Sequence, residues 1–196
     1  MKERPILFNG SMVRALLAGT KTQTRRVMKP QPRRVDGGVP FGDAPQWAHA
    51  EPGTAMMRCP YGQRGDRLWV RETFQRFTDD GETLYKADPA GLEAMNELMR
   101  DEYIEARWRP SIHMPRWASR ITLEITSVRV ERLQDIDISA AQAEGVSDTG
   151  PLILDSAGNE QGGPIAEYAV LWEQINGPGS WDANPWVWVV EFRRLP

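Results

Sequence analysis

The densest run of polar side chains lies at residues 19–26, with the sequence Gly-Thr-Lys-Thr-Gln-Thr-Arg-Arg. Lys21 can act as a base only if its pKa falls, which burial or nearby cations such as Arg25 and Arg26 would cause. Thr24 carries a hydroxyl that an adjacent neutral amine could activate. Because so many polar groups are costly inside a core, the run favours the rim of a pocket.

The spacing of these residues leaves an alternative open. Side chains alternate along a strand, so a regular strand would place Lys21 and Thr24 on opposite faces. They converge only if Lys21 still belongs to the turn that follows Gly19. Otherwise the run is an ordinary basic edge strand, whose solvated charges discourage pairing with other chains. These residues by themselves favour the edge strand, because perturbed groups mark functional sites only statistically.

The elements around this run follow from periodicity and capping residues. A helix is expected at 11–18, with Ser11 as its N-cap and Gly19 as a left-handed C-cap. Two further helices are expected at 88–104 and 164–176, and a short one at 138–144, capped by Ser139 and ended by Gly145. Strands are expected at 22–28, 67–74, 83–86, 119–131 and 186–192.

The remaining segments are expected to be irregular. Pro and Gly are frequent at 29–64, which predicts a long loop with a short hairpin near 56–61, and also at 148–163. The alternation at 119–131 slips at Thr126 and Ser127, which predicts a bulge. Separated strands with short helices between them indicate an α+β barrel rather than a doubly wound sheet.

Composition limits the classes of protein that fit. The 196 residues suit one domain, and a hydrophobic fraction of 40% can build a core. No stretch approaches the ~20 apolar residues of a membrane span, and the first residues do not resemble a secretory signal. Cys59 is alone and there are two histidines, so neither a disulfide nor a metal cluster is expected. These features predict a cytoplasmic protein without a membrane role.

Charge is distributed unevenly. Residues 1–34 hold nine basic side chains and one acidic side chain, whereas the whole chain has a net charge of −3. The basic segment could face phosphate, or it could be a solvated loop that offsets acids elsewhere. The acidic remainder argues against a protein dedicated to coating nucleic acid.

The motif Gly19-x-Lys21-Thr22-x-Thr24-x-Arg26 is followed in order by a turn and strand at 65–70, the strand at 121–130, Ala143-Glu144-Gly145 and the closing strand at 187–192. This ordered set resembles the ASCH domain family of the PUA-like superfamily. The fuller pattern is similar to a longer branch found in bacteriophages and prophages. The resemblance implies a single domain over 1–196, an α+β PUA-like β-barrel with short flanking helices, and insertions at about 29–64 and 88–117, the second one helical.

Small members of that family are N(4)-acetylcytidine amidohydrolases, and the resemblance carries their functional residues to Lys21, Thr24 and Glu144. It implies removal of an acyl group from an acylated cytosine nucleoside, with no cofactor and no metal. Contacts with the substrate are expected from four further residues: Arg25, Arg26, Glu72 and Trp69. Glu72 needs a partner if it is buried, which could be an arginine of the first motif. Trp69, Trp186 and Trp188 could stack on a base, although at least two of them are expected in the core.

Two other functions stay open. The basic segment and the barrel resemblance are compatible with binding or cleavage of RNA, which should show strong salt dependence. The phage-like pattern and the long insertions are compatible with an accessory protein that binds without turnover.

Overall fold

The computed structural model describes residues 1–31, 58–76, 82–100, 107–147, 153–154 and 160–196. It is a mixed α+β fold with these elements in chain order: β1 Glu3–Leu7, α1 Gly10–Ala18, β2 Gln23–Val27, β3 Arg67–Arg71, β4 Phe74–Arg76, β5 Thr83–Tyr85, α2 Pro89–Leu98, β6 Thr122–Arg132, α3 Ile138–Ala143, β7 Ile153–Leu154, β8 Glu160–Gln161, α4 Pro164–Asn176 and β9 Trp186–Arg194. Three 3₁₀ turns lie at Ser111–His113, Arg116–Ala118 and Leu133–Asp135.

Five strands form the main sheet in the order β1-β3-β6-β9-β2. The β1–β3 pair is parallel, and the other three pairs are antiparallel. Among the described strands, β1 and β2 are the two edges and no ladder joins them, so no closed barrel is found. A side chain spans this gap instead, because Arg26 Nη2 donates to the Leu7 carbonyl at 2.7 Å.

Both faces of β9 are buried along Val187 to Val190. Trp188, Val190 and Phe192 pack into a core beneath α1, whereas Val187 and Val189 pack against α3 and α4. Burial on both sides explains why β9 is a nearly continuous apolar run. The register of the β6–β9 pair shifts between Ile125 and Ser127, which confirms the predicted bulge.

Helix ends differ from the predicted caps in two places. The N-cap of α1 is Asn9 rather than Ser11, because the Asn9 side chain accepts the Met12 N–H at 2.9 Å. The N-cap of α3 is likewise Asp137 rather than Ser139, and it accepts the Ala140 N–H at 2.7 Å. In both cases an acceptor two positions earlier takes the exposed N–H group. The left-handed C-cap at Gly19 (φ 78°) and the bounds of α4 are as predicted.

The strand predicted at 67–74 is broken in two. β3 pairs with β1 and β6, whereas β4 pairs with β5, so the chain changes partners at Glu72 and Thr73. The segment predicted at 83–86 is therefore the partner of β4 and not of β3. The helix predicted at 88–104 ends earlier, at Leu98, and residues 101–106 lie outside the described part.

Most of the predicted loops also lie outside the described part, namely residues 32–57 of the first and most of 148–163. The described end of the predicted hairpin, residues 58–61, is coil and turn. None of the helices in the described ranges is both long enough and apolar enough to span a membrane.

Candidate functional site

A turn after α1 positions Lys21. The main-chain N–H groups of Thr20 and Lys21 both donate to the Ala15 carbonyl, at 3.0 and 3.2 Å, which is possible because Gly19 adopts a left-handed conformation. Lys21 thus precedes β2 and forms an isolated bridge with Glu144. Because Lys21 belongs to the turn and not to β2, the alternation of side chains along the strand does not force Lys21 and Thr24 onto opposite faces.

The end of α3 positions Glu144. Its N–H donates to the Ala140 and Ala141 carbonyls, so it remains part of the last helical turn. Gly145 then leaves the helix with φ 89°, and a Cβ there would lie 2.8 Å from the Ala15 Cβ and 3.1 Å from the Lys21 Cβ. The absence of a side chain at Gly145 lets the end of α3 approach the turn that carries Lys21.

Lys21 and Glu144 form a buried ion pair. Lys21 Nζ lies 2.8 Å from Glu144 Oε2 and also donates to the Glu144 main-chain carbonyl at 2.8 Å. The exposed fraction of each residue is 2%. Arg25 Nη1 approaches the other carboxylate oxygen at 3.4 Å, while Arg25 Nη2 contacts Glu131 at 3.0 Å. One carboxylate therefore holds two buried cations.

Burial changes the proton affinities around this pair. Loss of solvent lowers the pKa of Lys21, and the cations Arg26 and Arg25 lower it further, although the Glu144 carboxylate opposes the shift. Burial also raises the pKa of Tyr168 well above its usual value, reinforced by the Glu144 charge. The neutral form of the Lys21 amine is therefore more favourable in this environment than it would be in solvent.

A cavity of about 1160 Å³ adjoins the pair, and its wall includes Thr24, Arg25, Arg26 and Glu144. Lys21 is not among the described residues that line it, so the Glu144 carboxylate links the amine to the cavity wall. Thr24 is 2% exposed, and its hydroxyl makes no hydrogen bond within the described ranges. Thr24 and Glu144 thus both lie in the wall of this cavity, and Lys21 is reached from it through Glu144.

The cavity follows both sides of the edge strand β2. Thr24 is paired with Val190 and Arg26 with Trp188, so these two side chains face the core beneath α1. Arg25 faces the opposite side, towards Glu144. Phe192 N–H bonds the opposite Thr22 carbonyl, and Met28 N–H bonds the opposite Trp186 carbonyl. Along an antiparallel pair, the N–H groups of successive residues point alternately towards the partner strand and away from it. The N–H groups of Arg25 and Val27 therefore point to the free edge of β2.

Arg26 lies at this edge beside two aromatic rings. Its guanidinium carbon is 5.3 Å from the Phe8 ring centroid and 6.0 Å from that of Tyr61, both of which line the cavity. Its Nε is buried and has no hydrogen-bond partner in the described structure. Arg26 therefore lines the cavity and has one buried donor that no described residue satisfies.

Glu72 lies in the wall of the same cavity but belongs to another ion-pair network. Both of its carboxylate oxygens accept from Arg120, at 2.9 and 3.0 Å, and Arg120 also holds Asp88. The prediction that an arginine of the first motif pairs with Glu72 is wrong, because the change of strand partners after β3 brings Glu72 to Arg120. Burial raises the pKa of Glu72 in spite of Arg120.

Trp69 is not brought to the cavity. Its ring is covered by the guanidinium of Arg71 at 4.6 Å and by that of Arg116 at 6.0 Å. Trp188 does line the cavity, as do Tyr168 and Trp172 of α4. In the sequence, Tyr168 and Trp172 belong to the apolar stripe of the helix predicted at 164–176. Their spacing is indeed that of an apolar helix face, so periodicity contains no signal that one end of the face borders a cavity.

Comparison of the chain with family models, with curated proteins and with solved structures gives no match.

Proposed function

We propose that the chain is an amidohydrolase of the ASCH, PUA-like type that removes the acyl group from N(4)-acylated cytidine. The observation that carries this proposal is the buried Lys21–Glu144 ion pair next to a large cavity whose wall includes both Glu144 and Thr24. Perturbed groups at a cavity are typical of catalytic sites, and the motif resemblance independently points to the same three residues.

The proposed chemistry starts with a proton transfer. Lys21, as a neutral amine, accepts a proton from Thr24 or from a water, and the resulting oxygen attacks the acyl carbonyl carbon. The carbon–nitrogen bond then breaks, and the proton held by Lys21 passes to the departing cytosine amine. With Thr24 as nucleophile, a water releases the acyl group in a second step. The products are cytidine and a carboxylic acid.

Other cavity groups suit the remaining needs of this reaction. Glu144 orients Lys21 through the 2.8 Å contact between its carboxylate and Nζ, and from the cavity wall it can relay the proton of Lys21 to the leaving nitrogen. The negative oxygen of the tetrahedral intermediate requires donors, which Arg26 and the free-edge N–H groups of β2 can supply. Trp188 and Tyr168 offer aromatic surface for the base.

The test is hydrolysis of N(4)-acetylcytidine followed by ultraviolet absorbance. We expect turnover by the wild type, a large loss of kcat in Lys21→Met and Thr24→Val, and recovery of part of the activity in Thr24→Ser. Lys2→Met and Thr22→Val are matched controls, because both side chains are exposed. An inert wild-type protein, or variants as active as the controls, would refute the proposal.

A second candidate is RNA binding, supported by cationic and aromatic side chains outside the cavity. Arg76 lies 4.6 Å from the ring of Trp117, which is 60% exposed, and Arg71 and Arg116 cover Trp69. Such pairs suit stacking on single-stranded bases. Titration with a short RNA at low and high salt tests this candidate, and Trp117→Ala should weaken binding if the surface is used.

A further inference from the structure

The lining of the cavity is strongly cationic, although the whole chain has a net charge of −3. Two acidic residues are found among the described lining, and both are already neutralised: Glu72 by Arg120, and Glu144 by Lys21 and Arg25. The five basic residues among the described lining are Arg14, Arg25, Arg26, Lys29 and Lys86. An uncharged nucleoside does not require such an excess of positive charge.

Four of these cations lack an anionic partner among the described residues. Within the described ranges no carboxylate pairs with Arg14, Arg26, Lys29 or Lys86. Arg26 is the most telling, because its Nε is buried without a partner while Nη2 is held by the Leu7 carbonyl. A partly buried guanidinium with unused donors is a site that an anion would stabilise.

Arg14 contacts the segment that carries Lys86, and both residues line the cavity. Arg14 Nη1 is 3.4 Å from the carbonyl of Ala87, the residue that follows Lys86. The Lys86 main chain is in turn fixed by a 2.9 Å hydrogen bond to the Thr73 carbonyl. Both side chains are exposed and can move towards a ligand. Together they are suited to hold a phosphate in a region distinct from the Lys21–Glu144 pair.

We propose that this cavity binds the phosphate of a nucleotide, so that phosphorylated cytidine and not the free nucleoside is its preferred ligand. The cytidine part of this inference rests on the proposed function, whereas the phosphate part rests on the unpaired cations. The phosphate could belong to a mononucleotide or to an RNA strand, and the two sources share the same chemistry.

Calorimetric titration of the intact protein tests the inference without turnover. The probes are cytidine, 5′-CMP, 3′-CMP and a trinucleotide with a central cytidine, each at low and at high salt. We expect a monophosphate to bind about tenfold or more tightly than cytidine at low salt, the gain that one charge-assisted hydrogen bond provides. The advantage should shrink at high salt because partly exposed charges are screened.

Two double variants with the same change of charge make the test specific. Arg14→Gln/Lys86→Gln should remove most of the monophosphate advantage and leave cytidine binding unchanged. Lys2→Gln/Arg64→Gln alters two exposed cations outside the cavity lining and should keep the advantage. Equal loss in both variants would show that net charge, and not this site, attracts phosphate, and would overturn the inference.

The outcomes separate this inference from the proposed hydrolysis. Equal affinity for cytidine and both monophosphates overturns the inference, even if N(4)-acetylcytidine is hydrolysed. A monophosphate advantage without hydrolysis supports the phosphate site and refutes the amidohydrolase proposal. Tighter binding of the trinucleotide than of either monophosphate, with the same dependence on Arg14 and Lys86, assigns the phosphate to an RNA strand.

Discussion

Lys21 Nζ donates two hydrogen bonds to one residue, to the carboxylate and to the main-chain carbonyl of Glu144, each at 2.8 Å. The carbonyl bond ties the amine to the end of α3 independently of the carboxylate charge. The pair therefore contains the proposed catalytic base and also links two segments that are 123 positions apart in the chain.

The stability of this link can be measured with a double-mutant cycle. Glu144→Gln should destabilise the fold by roughly 3–5 kcal/mol, because Lys21 and Arg25 would remain as buried cations without a full counter-charge. Lys21→Met should cost less, since Arg25 still faces the carboxylate. The double variant should be more stable than the sum of the single effects predicts. Urea unfolding of the four proteins tests this, and simple additivity would contradict a direct coupling.

Hydrolysis should depend on pH through Lys21. The neutral amine is the active base, so kcat/KM should rise with pH as Lys21 loses its proton. Burial lowers the pKa of Lys21, which moves this rise below the pH expected for a solvated lysine. Profiles from about pH 5 to about pH 10 would show it. A rate that falls over this range would contradict a neutral lysine base.

Glu144→Gln should shift the same profile. The carboxylate opposes the lowering of the Lys21 pKa, so its removal should lower the pKa further and move the rising limb towards acid. A purely structural role of Glu144 would reduce the rate without this shift. Residual activity of the variant, measured at several pH values, distinguishes the two.

Gly145→Ala should displace the end of α3 from Lys21. The new methyl group would meet the Ala15 Cβ at 2.8 Å and the Lys21 Cβ at 3.1 Å, in a left-handed backbone conformation that alanine disfavours. Gly179→Ala is the matched control, because Gly179 also has a positive φ but no atom within 4 Å of the added carbon. The control should lose about 1–2 kcal/mol of stability. Gly145→Ala should lose more and also lose activity, whereas equal losses would show that crowding is unimportant.

Asp66 should make folding sensitive to acid. Partial burial raises the pKa of its carboxyl, but hydrogen bonds from the Lys2 N–H at 2.7 Å and from Arg4 at 2.9 Å outweigh this, and the pKa lies below the ordinary 3.8. Because the folded pKa is depressed, this stabilisation is present above about pH 3.8 and is lost as pH falls through the folded value.

Asp66→Asn should therefore reduce the free energy of unfolding at neutral pH by about 1.5–3 kcal/mol, the range for hydrogen bonds to a charged group. The difference from wild type should narrow in acid. Asp182→Asn, at an exposed position, is the control. Urea unfolding at several pH values provides the measurement, and a difference that stays constant into acid would contradict the assignment.

Features encoded within a few neighbouring residues could be predicted from the sequence. The bounds of α4, the left-handed Gly19 and the bulge near Ser127 all follow from local periodicity and backbone preferences. The two wrong N-caps have a local cause as well, because a serine lay two positions after a better acceptor in each case. The resemblance brought Lys21, Thr24 and Glu144 forward as candidates; Thr24 and Glu144 lie in the wall of one cavity, and Lys21 is buried against Glu144.

Pairings between distant segments required the folded chain. Glu72 has Arg120 as its partner because β3 ends before Glu72 and the chain continues into β4, which pairs with a different strand. No local sequence pattern predicts this change of strand partner. The gap between β1 and β2, spanned by Arg26, depends on the strand order of the whole sheet. The lining by Tyr168 and Trp172 depends likewise on where α4 stops covering the sheet. Local propensities act over a few residues, whereas burial and ion pairing are set by segments that meet only after the sheet has formed.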